Sequence, residues 1–261
     1  MFTEVFWFQV LLSFLVGGLW VGGMTLISER FGSKIGGLLV SLPSTGVVAL
    51  LFIALTQNQE AMVSATTVMP SAIAAATIFL VMFAVLYRFG WVLDYFGAIA
   101  IWFALNLPLV ILDIENIAVS LLLAVLIYCV SVTYFHKHPH RKLGAVKVST
   151  KAVVLRVIFA GSFIALAVLL AKLAGPAWGG LFSSYPAAFS ATVILFARKH
   201  GIEFTSSVSR TMVHGNMSIV VFAIFVFLLV PHIGVALGLI FAYLSSLIFS
   251  SFSYKYVLNR L

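Results

Sequence analysis

Charge is scarce in this chain. Asp and Glu number 7 in 261 residues, charged residues of both signs reach only 8%, and there is one cysteine, Cys129. So few ionic groups cannot cover a soluble domain of this size. A single cysteine excludes a disulfide framework and a cysteine-based metal site. No HExxH or similar ligand spacing is present, so neither a metal nor any other cofactor is expected. The net charge of +8 is better explained by membrane orientation than by an anionic polymer, and no nucleic-acid partner is expected.

Apolar residues take the place of charge. They make up 63% of the chain, and the mean hydropathy is +1.18. Runs of about 20 apolar residues, each enough for a hydrocarbon core of about 30 Å, recur throughout. Nine spans are expected: 5–27, 36–56, 61–87, 92–112, 117–135, 152–174, 179–197, 205–230 and 235–252. The opening MFTEVFWFQV has no basic stretch before its apolar run, so it is expected to be a span and not a cleaved leader. The fold class is all-α transmembrane, with membrane lipids as the constant partner.

With nine spans, thirteen Lys and Arg residues fall on the side of the C-terminus and Lys172 alone on the other; Arg210 lies inside a span. That asymmetry places the N-terminus outside and the C-terminus in the cytoplasm of a plasma (inner) membrane. The longest polar connection, 136–151, is then a basic cytoplasmic loop.

Residues 28–69 and 171–212 are imperfect copies offset by 143 positions, with ten identities in the 38 positions from Gly32 to Met69. Gly32, Gly36, Gly37, Leu38, Ser41 and Pro43 recur as Gly175, Gly179, Gly180, Leu181, Ser184 and Pro186. The expected organisation is a four-helix repeat over 1–115, a linking helix and loop over 116–151, and a second four-helix repeat over 152–261. The odd linking helix inverts the second copy, a pattern familiar in transporters. The repeated Gly-x-x-x-Gly pairs, together with Gly18-x-x-x-Gly22, are expected to be helix-packing contacts, and they make a homodimer plausible.

Two of the spans carry Ser-x-Pro. Ser41, Pro43, Ser44 and Thr45 lie in the second, and Ser184, Tyr185 and Pro186 in the seventh. Proline removes a backbone donor and opens the helix. In hydrocarbon the freed carbonyls must be satisfied by protein or water. Each proline lies roughly 10 Å into its span, from opposite sides, so the breaks should meet near the midplane. The alternative is a packing kink.

Span eight is the least apolar. Ser207, Arg210 and His214 share a helical face, with Asn216 close by, and the first repeat offers Ser64 and Thr67 at positions matching Ser207 and Arg210. Arginine suits carboxylate or phosphate through its planar donor fork, and histidine can carry a proton. The alternatives are that Arg210 reaches the headgroups and that His214 is a bonded packing residue. Glu4, Glu60, Asp94 and Glu203 lie near span ends, so cation coupling through a buried carboxylate is disfavoured.

The Gly179-Gly180-Leu181 start, Pro186 and the Arg198–Glu203 loop resemble the GlpM-like family of small bacterial inner-membrane proteins. Gly36-Gly37-Leu38, Pro43-Ser44-Thr45 and the Gln57–Glu60 loop repeat that pattern. Family members are about half this length, so the resemblance implies two such units fused head to tail, and it implies no particular substrate.

The residues favour a transporter of a small anionic or zwitterionic solute working by alternating access. An anionic-lipid translocase and a non-transporting membrane assembly factor are alternatives. An enzyme is not expected, because no intramembrane carboxylate orients His214 toward Ser184.

Overall fold

The computed structural model describes residues 3–30, 42–86, 89–137, 150–186 and 202–256, and these residues contain helices and connections but no strand. The helices are α1 (Glu4–Arg30), α2 (Ser44–Thr56), α3 (Gln59–Ala65), α4 (Met69–Leu86), α5 (Trp91–Ile111), α6 (Ile117–Lys137), α7 (Thr150–Leu173), α8 (Pro176–Ser183) and α9 (Ile202–Tyr256). Six helical stretches among the described residues are long and apolar enough to cross a membrane. They lie in α1, α3–α4, α5, α6, α7 and α9.

The expected spans 36–56 and 179–197 lie partly outside the described residues; their described parts, α2 and α8, are about 20 Å and about 12 Å long at about 1.5 Å per residue. Other expected spans take a different form. The expected span 61–87 is broken: α3 ends at Ala65 and α4 starts at Met69. Pro70 explains the break. It has no N–H to give the Thr66 carbonyl, which instead accepts the Met69 N–H at 3.3 Å. Spans 205–230 and 235–252 lie in one helical run, divided where Gly234 takes φ 79° and ψ 171°. That backbone conformation is open to glycine and strained for other residues.

The most extensive helix contact among the described residues joins α1 to α7. A Cβ at Gly18 would stand 2.8 Å from the Val157 carbonyl oxygen, and one at Gly161 would stand 2.6 Å from the Phe14 carbonyl oxygen. Phe14 and Gly18 become Val157 and Gly161 when shifted by the 143-residue offset of the sequence repeat. The contact is therefore reciprocal, and its numbering runs in opposite directions along the two helices, so α1 and α7 pack antiparallel. Gly22 also packs against Val157, as the Gly-x-x-x-Gly spacing leads one to expect.

Around this pair, α2, α3, α7 and α9 share a core containing Leu50, Ile53, Met62, Ile164 and Phe222, all under 2% exposed. Lipid is as apolar as these side chains, so close packing stabilises the assembly more than exclusion of water does. The outer faces are apolar too. Leu11, Leu15 and Leu19 on α1, Leu122, Val125 and Leu126 on α6, and Ile240, Leu244 and Ile248 on α9 are exposed, which suits acyl chains.

Candidate functional site

The two Ser-x-Pro breaks meet. Pro43 precedes the first turn of α2, whose N-terminus has no side-chain cap. α8 ends at Ser183, and the Ser184 and Tyr185 N–H groups turn back onto the Leu181 and Phe182 carbonyls at 3.1 and 3.2 Å. The Thr45 hydroxyl then donates to the Ser183 carbonyl at 3.3 Å. The positive end of one short helix thus faces the negative end of another, each end equivalent to about half a charge. Ser184 is 3% exposed, and its hydroxyl has no hydrogen-bond partner among the described residues. Leaving a buried hydroxyl unpaired costs roughly 1–3 kcal/mol.

The break between α3 and α4 adjoins this junction. A Cβ at Gly180 of α8 would overlap the Ala65 carbonyl oxygen, and one at Gly46 of α2 would lie 3.1 Å from the Met69 methyl. Three interruptions of the helical ladder are thereby gathered, two of them at helix N-termini. They are satisfied differently. At the α3–α4 break the threonine and serine hydroxyls fold back, with Thr66 donating to the Val63 carbonyl, Thr67 to Ser64 and Ser71 to Val68. The Ser71 N–H donates to the Ser120 hydroxyl on α6 at 2.9 Å. The Ser64 hydroxyl is enclosed, with no hydrogen-bond partner among the described residues.

Tyr185 extends the junction toward α5. Its ring stacks on Phe163 at 3.8 Å and meets Trp102 edge-on at 5.2 Å, and its hydroxyl lies 3.3 Å from that of Tyr95. Pro186 is buried. His214 is 5% exposed and is tied to α6, where its Nδ1 lies 2.8 Å from the Tyr128 hydroxyl. Asn216 is buried, and its amide nitrogen has no partner among the described residues. Ser41 and the side chains of Ser207 and Arg210 lie outside the described residues. Of the residues foreseen from sequence, the structure joins Thr45, which follows Pro43 and Ser44 in the chain, to the end of α8 that leads into Ser184, Tyr185 and Pro186, with Ser64 and Thr67 at the adjoining break.

Four participants escape the sequence reading. Ser183 contributes a backbone carbonyl, which no side-chain pattern reveals. Ser120 and Tyr128 lie on α6, outside the repeated segments 28–69 and 171–212; their spacing with Ala124 and Ser131 at three to four residues marks one face. The fourth is Asp94. Its position near a span end suggests contact with headgroups, yet it is 0% exposed, and neither carboxyl oxygen has a hydrogen-bond partner among the described residues. Asp94 does lie near a span end, in the first turn of its helix; its burial is what the sequence reading did not give. Its place in the first turn of α5 favours a negative charge by about 1 kcal/mol. Taking an unpaired charge out of water costs several kcal/mol, so the helix end does not compensate.

The fold defines a multi-pass α-helical membrane protein. The chain belongs to the family described as "Protein of unknown function (DUF3147)", whose profile matches residues 10–138 and, separately, 153–258. These two matched segments are consistent with a two-part repeat. No curated protein matches the chain, and no solved structure does.

Proposed function

We propose that the protein is a transporter of a small anionic or zwitterionic solute, built as an inverted 4+4 repeat with α6 as the linking helix. The observation that carries the proposal is the Thr45–Ser183 hydrogen bond, which joins two helix breaks 138 residues apart. Interrupted helices meeting inside a bundle give a solute polar backbone groups at membrane depth without exposing them to lipid. The uncapped N-terminus of α2 favours an anionic group, and the unpaired Ser184 hydroxyl offers it a hydrogen bond. Arg210 is the proposed counter-charge and His214 the neighbouring polar group.

The inverted arrangement has its own support. The Phe14–Gly161 and Val157–Gly18 contacts, between antiparallel helices, exchange under the repeat offset, and the two matched segments, 10–138 including α6 and 153–258, fit a two-part repeat. Each half also resembles a GlpM-like unit. In alternating access the two halves rock about such a seam while the solute stays near the junction. We place the protein in the plasma membrane with its C-terminus in the cytoplasm, on the distribution of basic residues.

Single cysteines at Ser44, Ser184 and Asn216 in a Cys129→Ser background, challenged with an impermeant thiol reagent from each side, test this reading. Labelling that depends on the side of addition, with protection by candidate anions, is expected. Positions that stay unreactive from both sides would reduce the breaks to packing kinks and end the transport proposal.

A further inference from the structure

We propose that Asp94 is a proton-exchange site, holding its proton while α4 and α5 enclose it and giving it up when they part. The first ground is enclosure. Asp94 is 0% exposed, and both carboxyl oxygens are buried without a hydrogen-bond partner among the described residues. Ionisable groups inside a membrane protein are costly and mark pathways or relays.

The second ground is the absence of a counter-charge on the helices packed against it. α5 packs on α4 and α8. Met69–Leu86 and Pro176–Ser183 contain no ionisable side chain, and Tyr95 is the only other one on α5. The next layer adds Tyr128 and Tyr134 of α6, with Tyr128 holding His214 of α9. Among the described residues an ionised Asp94 is therefore unpaired while enclosed, whereas the neutral acid needs no partner of opposite charge.

The third ground selects a proton over a metal cation. A hard cation needs several oxygen ligands. The cluster at this level is built from Phe79, Leu80, Phe83 and Ala98, with the Tyr95 ring edge-on to Phe79 at 6.2 Å and Gly97 set against Leu86. The exchange changes one bond. The carboxyl O–H breaks, the electron pair stays on the carboxylate, and the proton passes to water at the end of α5 near Gly90. Reprotonation reverses the step. The equivalent position in the second half is Leu237, so the protein has one such site and not a symmetric pair.

Coupling of this proton to solute movement rests on the transport reading; proton binding itself does not. The experiment uses the full chain in liposomes and compares infrared spectra of the wild type and Asp94→Asn across pH. A carbonyl stretching band of a protonated carboxyl is expected in the wild type at neutral pH, absent from Asp94→Asn and lost as pH rises. A lipid-soluble carbodiimide should form an adduct at Asp94, read by mass spectrometry, falling at least tenfold over the same range. Carboxylate bands with no adduct at neutral pH overturn the proposal, and so does a band unchanged at every pH where the protein stays folded. Asp94→Glu, which should keep a shifted band, guards against misfolding of the amide variant. Uptake driven by a pH gradient should vanish in Asp94→Asn while solute counterflow persists; equal pH-driven uptake in both overturns the coupling role. A titrating band in a protein that moves no solute would sink the transport reading and leave the proton site standing.

Discussion

Span three and its copy in α9 show how one residue can separate two versions of a repeated segment. In the first half, Thr66, Thr67 and Val68 interrupt the helix, and the Thr66, Thr67 and Ser71 hydroxyls turn back onto local carbonyls. In the second half the helix continues from Ile202 through the same positions to Gly234. Pro70 in the first copy corresponds to Val213 in the second. The valine supplies the backbone donor that the proline lacks. The polar stripe changes with it, since Thr67 and Ser71 correspond to Arg210 and His214. One copy therefore has interrupted backbone, and the other has residues of ionisable type on continuous helix.

Val213→Pro should erase the contrast from one side. Val213 is 1% exposed, and the substitution removes a buried backbone bond at a cost of about 3 kcal/mol or more. Thermal unfolding in detergent should show the largest loss of any variant named here. Gly180→Ala attacks the first copy, because its methyl would overlap the Ala65 carbonyl. Overpacking of this kind costs about 1–3 kcal/mol, read by the same assay.

Tyr128→Phe removes the 2.8 Å partner of His214 and should cost about 1 kcal/mol. Ser120→Ala leaves the Ser71 N–H unpaired and should cost a similar or smaller amount. Comparing these two shows which copy leans harder on α6. The smallest stability change, within about 1 kcal/mol, is expected for Pro70→Val, which should raise helicity and abolish solute uptake. Unchanged uptake in that variant would mean that the break serves packing alone.

Much of the architecture can be read from the chain. Apolar runs mark the helices because hydrocarbon sets their length, and Pro43 and Pro186 announce breaks because proline cannot complete the ladder. Pro70 carries the same signal behind two threonines, but the apolar run around it is long enough to pass as one span. Asp94 is harder. A carboxylate in a first turn reads as a headgroup contact, and only the packing of α4 reveals its enclosure. The His214–Tyr128 bond spans 86 residues and reaches α6, which lies outside the repeated segments 28–69 and 171–212, so the internal comparison that exposed the repeat has nothing to align there.

The glycine seam between α1 and α7 also has a consequence in time. α7 is synthesised about 140 residues after α1, a delay on the order of ten seconds at ordinary ribosomal speeds. During that interval α1 sits in the bilayer with Gly17, Gly18 and Gly22 facing lipid or some other helix. A seam that fits its late partner this closely is open to earlier, wrong ones, so biogenesis of this protein should depend on how long the nascent first half is kept apart from its neighbours.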